Sequence, residues 1–278
     1  MRVHHLNCGS MRPMGAKLLD GEPGYFRFAN MVCHVLLVET EQGLVLVDTG
    51  FGEADLAKLP GTLPREFVSL VRPVADPSMS AIRQVESLGY KPSDVQHILL
   101  THMDLDHAGG LRDFPHAKVH VYGPEHQVAT AQATFRDRQR FRAAQWAHEP
   151  KWEIYPDADG EAWFGFESVR ELTGLSDDFL LVPLVGHTHG HVGIAVNAPG
   201  GWLLHAGDAF FHRSEVDPAE KPMPPLLATF ESIMQADKKS RLANQVRLRE
   251  LVRDHGAEVK VFSAHDAVSL RRFAPAPA

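Results

Sequence analysis

The chain has 278 residues, 44% of them hydrophobic and 23% charged, the balance of an ordinary globular protein rather than a disordered or fibrous one. Its 28 Lys and Arg against 35 Asp and Glu leave a formal net charge of −7, which argues against nucleic acid or an anionic membrane as a partner. Two cysteines cannot build a disulfide framework, the N-terminus lacks a secretory apolar core, and no apolar run approaches the ~18 residues of a membrane span, so a soluble cytoplasmic protein is expected.

One domain over 1–278 is expected, with a frayed tail at 270–278. Val32 to Glu39 and Leu44 to Asp48 are β-rich apolar runs separated by Thr-Glu-Gln-Gly, which predicts a hairpin whose second strand ends at Asp48-Thr49-Gly50. Residues 53–76 form a connection rich in Pro and Gly, and Asp76-Pro77 then opens a helix that Gly89 stops. A short buried strand follows from Val95 to Leu100. Further strands are predicted at 117–122, 152–155, 167–172, 179–184, 191–197, 201–206 and 258–263, and helices at 124–132, 136–147, 226–236 and 239–254. Strands in runs with helices between the runs imply two packed mixed sheets with helices outside, not a strict βαβ alternation.

Histidine stands out at 17 residues, several of them at metal-ligand spacing. In His102-Met-Asp104-Leu-Asp106-His107 an extended backbone sends residues 102, 104 and 106 to one side, while Met103 and Leu105 can anchor the other. Four metal-capable side chains at the end of a buried strand would be costly to assemble without a cation. Three later apolar strands likewise end in such residues: Leu180 to Gly186 runs into His187-Thr-His-Gly-His191, Gly201 to Gly207 into Asp208, and Val259 to Ala264 into His265. With Asp48, five strand ends carry Asp or His, and coincidence explains that poorly.

In that order, Asp48-Thr-Gly, His102 to His107, His187, Asp208 and His265 resemble the motifs of the metallo-β-lactamase superfamily, over roughly residues 30–270. The layout looks closest to its N-acyl-homoserine lactonase-like branch. The resemblance implies an α/β fold, the αββα sandwich of two mixed β-sheets with outer helices. It also implies His102, Asp104 and His187 around one metal, Asp106, His107 and His265 around a second, Asp208 bridging both, and Asp48 orienting the histidine segment. His191 would support the site from behind. The expected cofactors are two divalent ions, zinc in the first instance.

Two departures qualify this expectation. Most members of the superfamily have His where this chain has Asp104, and the added carboxylate makes iron or manganese credible. Lactonases of the branch have a Tyr three residues after the bridging Asp, where this chain has Phe211; His212 is the nearest replacement acid. The implied activity is hydrolysis, a metal-bound hydroxide attacking a lactone or other carboxylic ester with Asp106 or Asp208 shuttling the proton. Phosphotriester or thioester hydrolysis and iron-dependent redox chemistry of the same fold are the alternatives. The expected partner is a small-molecule substrate. Met11, Met14, Leu18, Tyr25, Phe26, Phe28, Phe135, Phe141 and Trp146 are candidates for an acyl channel or a homodimer interface.

Overall fold

A computed structural model describes residues 1–158 and 160–273. Its first sheet has the order β1-β2-β3-β4-β5-β6, formed by Arg2–Met11, Met31–Thr40, Gly43–Val47, Val95–Leu99, Lys118–Tyr122 and Lys151–Tyr155. The β2–β3 hairpin is antiparallel, and β3 through β6 run parallel. The second sheet has the order β12-β11-β10-β9-β8-β7, from β7 (Glu161–Trp163), β8 (Phe166–Glu171), β9 (Phe179–Pro183), β10 (Val192–Ala198), β11 (Gly201–His205) and β12 (Val259–Phe262). It is antiparallel except where β11 meets β12.

The sheets pack face to face because their central strands are apolar on both sides, which is the pattern of strands covered twice. Leu36, Val38, Val45, Val47 and Leu99 of the first sheet meet Phe179, Leu181, Ile194, Val196 and Phe262 of the second. On the outside, Leu37, Leu46 and Ile98 lie under Ala81, Val85 and Ala129 of two helices. Val182, Ala195 and Leu204 lie under Leu248 and Leu251 of another. The result is the expected αββα sandwich.

Nine α-helices fall among the described residues: α1 (Lys17–Asp20), α2 (Glu53–Ala57), α3 (Arg65–Val71), α4 (Ala81–Ser87), α5 (Gly123–Ala131), α6 (Phe135–Arg140), α7 (Pro225–Met234), α8 (Lys238–His255) and α9 (Ala267–Phe273). Several differ from expectation. The 53–76 connection carries α2 and α3, whose Leu56 and Val71 join a core cluster with Phe51 and Leu105. The helix expected over 136–147 stops at Arg140, because Phe141 turns extended (φ −95°, ψ 138°) and buries its ring, as Trp146 does, in the core. Residues 270–273, expected as the start of a frayed tail, are the last turn of α9; the rest of that tail, 274–278, lies outside the described residues. No helix among the described residues is long and apolar enough to cross a membrane.

Candidate metal centre

Each candidate ligand stands on a strand end or on the loop that leaves it, so the sheets bring together residues far apart in sequence. His102, Asp104, Asp106 and His107 follow β4, His187 follows β9, Asp208 follows β11 and His265 follows β12. All seven converge, and none is more than 9% exposed. Around the first expected position, His187 Nε2 lies 3.1 Å and His102 Nε2 3.4 Å from Asp104 Oδ2. Around the second, His265 Nε2 is 3.6 Å from Asp106 Oδ2. Asp208 lies between the two groups: its Oδ2 is 3.4 Å from His187 Nε2 and 3.2 Å from His265 Nε2, and its Oδ1 is 3.4 Å from His107 Nε2.

Hydrogen bonds behind the ligands fix their tautomers. The His107 Nδ1–H donates to Asp48 Oδ2 at 2.8 Å, and the His265 Nδ1–H donates to the Val32 carbonyl at 2.8 Å. Thr101 Oγ1 donates to Asp48 Oδ2 and accepts from His102 Nδ1 at 3.0 Å. In all three rings the Nε2 lone pair is therefore turned inward. Asp48 Oδ1 also accepts from the Thr101 amide at 2.8 Å, so one carboxylate holds the whole start of the histidine segment. His191 does not join the cluster: its Nε2 accepts from the Asp208 amide at 2.9 Å while Nδ1 donates to the Leu184 carbonyl at 3.1 Å. Gly207 at φ +52° completes that support, since a Cβ there would come within 2.6 Å of His191 Nε2.

Do these residues suit divalent ions? His102 Nε2, His107 Nε2 and Asp208 Oδ1 are buried without hydrogen-bond partners and lie within 4.8 Å of one another. Buried ligand atoms facing each other unpaired are what a cation site presents. The donor set of imidazole and carboxylate fits zinc, iron or manganese. Cys33, from β2, also comes within reach of Asp106 and His265. Electrostatics follows the same geometry. Burial opposes ionisation of Asp208, but His265, His107 and His187 hold it well below the usual carboxylate range. Burial likewise opposes a charge on His265, yet the Asp208 carboxylate raises it to about 9. Burial pushes Asp106 up.

Two residues that sequence reasoning missed complete the centre. Buried Glu125, on α5, accepts from the Met103 amide at 2.9 Å and the Gly190 amide at 3.2 Å, which ties together the loops bearing His102 and His187. A Cβ at Gly190 would sit 2.0 Å from the Glu125 amide, so only glycine admits this approach. Arg140, the last residue of α6, forks onto Asp104, with Nε donating to Oδ1 at 2.5 Å and Nη2 to Oδ2 at 2.7 Å. The carboxylate that suggested a harder metal thus has a cation attached. Burial opposes ionisation of Asp104, and this guanidinium holds it well below its usual range.

Above the cluster lies a cavity of about 420 Å³. Asp104, Asp106, His187, Asp208, Phe211 and His265 form its floor, and Phe67, Leu70, Leu226, Phe230 and Ile233 stand among its walls. Of the expected channel residues, Met11 and Met14 line it. Phe141 and Trp146 are core residues, and Leu18, Tyr25, Phe26, Phe28 and Phe135 are exposed and do not line it. The helices α3 and α7 supply the walls instead. His212, the nearest candidate to replace the acid, is buried and holds a turn, its Nδ1 bonded to Ser214 Oγ at 2.8 Å. His189 is exposed and does not line that cavity.

Residues 30–247 match the metallo-β-lactamase superfamily model. A probable metallo-hydrolase of Mycobacterium tuberculosis is 43% identical over 266 residues, covering 96% of this chain and 80% of its own length. Among solved structures, an N-acyl homoserine lactone hydrolase with the product N-hexanoyl-L-homoserine bound at its catalytic metal centre superposes with a TM-score of 0.71 at 20% identity, over 97% of this chain and 95% of that one. A dizinc quorum-quenching lactonase gives 0.60 at 18% identity, over 95% and 86%. The sandwich, the order of ligand-bearing strand ends and the family match agree, and the chain belongs to the metallo-β-lactamase superfamily, whose fold is that of hydrolytic enzymes.

Proposed function

We propose that this protein is a binuclear metal-dependent hydrolase that opens lactones or cleaves other carboxylic esters carrying an apolar chain. His102, Asp104 and His187 would hold one divalent ion, Asp106, His107 and His265 the other, and Asp208 would touch both. Such ions, when bound, polarise a carbonyl and lower the pKa of water. The protein's own residues do the rest. Asp208 lies on the cluster axis with its two oxygens turned to different histidines, so it holds the groups in register. Asp106 lines the cavity, and among the described residues no donor hydrogen-bonds its carboxylate, which leaves it able to take a proton from attacking water and return it to the leaving alkoxide.

The observation that carries this reading is the junction of an apolar cavity with an ionic floor. A volume of about 420 Å³ suits a small ligand, and walls of Met, Phe, Leu and Ile favour an aliphatic chain over a charged one. Phe211 sits on the floor, its ring centre 5.6 Å from both His187 and His265; it shields the cluster but supplies no proton. The test is a panel of N-acyl homoserine lactones of increasing acyl length, simple lactones, aryl esters and a phosphotriester, assayed on chelated and zinc-reloaded protein. Lactone or ester turnover should return with metal, and KM should fall as the chain lengthens. Zinc-loaded protein that turns over none of the lactones or esters refutes the proposal.

A further inference from the structure

Arg140 is bound more completely than a surface arginine would be. All five of its N–H groups have acceptors: Nε and Nη2 on Asp104, Nη1 on the His187 carbonyl at 3.0 Å and the Met234 carbonyl at 2.7 Å, and Nη2 again on His187 Nε2 at 2.5 Å. The last contact conflicts with metal binding. A neutral imidazole nitrogen has one lone pair, directed in the ring plane, so His187 Nε2 cannot accept from a guanidinium and ligate an ion at once. Asp104 Oδ2, which also faces that position beside His102 Nε2, is engaged by Nη2 as well.

We propose that Arg140 competes with the metal ion at the position formed by His102, Asp104 and His187, and makes that position the weaker of the two. This rests on the reading that the cluster holds two ions. The guanidinium serves as resident counter-ion for Asp104, and an ion enters only when Nη2 lets go of His187. The remaining bonds, from Nε to Asp104 Oδ1 and from Nη1 to two carbonyls, keep Arg140 in place beside the filled position. There its positive charge still opposes the ion at close range in a buried setting. Among the described residues the other position has no such rival: the charged groups facing His107 and His265 are the carboxylates of Asp48, Asp106 and Asp208. Arg140 acts through the ligands and touches no reacting atom, so it is a positioning residue.

The experiment is stepwise cobalt(II) titration of chelated protein against a chromophoric competitor, following the cobalt d–d bands, for the unsubstituted chain, R140M and R140K. The unsubstituted protein should take two ions in separable steps at least tenfold apart. R140M, which keeps the aliphatic bulk but loses charge and donors, should tighten the weaker step at least tenfold and leave the tighter one unchanged. R140K, with one mobile charge and no fork, should fall between. Equal affinities in the unsubstituted protein, or a weaker step that R140M leaves the same or loosens, overturns the proposal even if two ions bind. Should R140M not fold, the two-step titration of the unsubstituted chain and the R140K shift still decide it. Failure of the unsubstituted protein to take up any ion sinks the binuclear reading itself.

Discussion

Replacing Asp48 with Asn tests whether a hydrogen bond behind a ligand decides what the ligand can do. Asp48 adopts φ +60°, a conformation that Asn tolerates as well as Asp, so the backbone should survive the change. The carboxylate accepts three hydrogen bonds, from the Thr101 amide, Thr101 Oγ1 and His107 Nδ1, each at 2.8 Å. An amide offers one oxygen. If that oxygen faces the Thr101 amide, the NH2 faces His107 Nδ1 and selects the tautomer with its proton on Nε2, which removes the lone pair directed at the cluster. If the amide flips, two N–H groups oppose each other at Thr101. Losing a buried hydrogen bond to a charged acceptor costs ~1.5–3 kcal/mol, which corresponds to roughly 10- to 100-fold in affinity for an ion held by His107. Chelator competition should show that weakening with zinc, and nitrogen-15 NMR of the imidazole should show the proton moved to Nε2. Unchanged zinc affinity with the proton still on Nδ1 would refute the reasoning.

Glu125→Gln should lower the urea midpoint by an amount equivalent to ~1–3 kcal/mol, because an amide can accept from only one of the Met103 and Gly190 N–H groups; an unchanged midpoint would show that the two loops do not depend on this clamp. Phe230→Ala and Ile233→Ala should raise KM about tenfold for a long-chain lactone and little for a short one, since each removes ~1–2 kcal/mol of apolar contact from the cavity wall. Equal effects on both substrates would place the acyl chain elsewhere. Metal-free protein should lose thermal stability as pH rises from about 6 to 9. Despite burial, His265 is raised by Asp208 from 6.5 to about 9, and burial raises Glu125 from 4.5 to about 7. Both folded-state values lie above the unfolded ones, so the stability they contribute is complete below the unfolded values and lost on passing through the folded ones. A melting temperature that stays flat or rises across that window in metal-free protein would contradict these assignments.

The cluster was legible because its members occupy strand ends, where an apolar run stops abruptly at a His or Asp and the direction of the chain is set by the sheet. Asp48 could be placed for the same reason. The strands of the two sheets were readable wherever they are apolar on both faces, as in Val45-Leu-Val and Leu180-Leu-Val. β1 escaped because His4, His5, Asn7 and Ser10 interrupt its pattern, and the partners of His4 and His5 come from the neighbouring strand, as when His5 Nδ1 meets His34 Nε2 at 2.8 Å. The cavity walls were misplaced for a different reason. Exposed aromatics such as Phe26 and Phe135 look in sequence like lid residues, whereas Phe67, Leu70 and Phe230 look like ordinary helix residues until α3 and α7 are set over the cluster.

Arg140 shows where reasoning from a sequence must stop. Arg136, Arg138, Arg140 and Arg142 alternate along one polar stretch, and nothing local distinguishes the third from its neighbours. Its role follows from where α6 ends: Phe141 leaves the helix to bury its ring, and that turn delivers the preceding guanidinium to a carboxylate 36 positions earlier in the chain. The inference that Asp104 adds net negative charge to the centre was sound for the ligands alone. It fails for the centre as folded, because the charge that balances Asp104 comes from a residue no ligand motif includes. A substitution of histidine by aspartate at a metal position therefore says little about the preferred ion until the groups packed against the carboxylate are known.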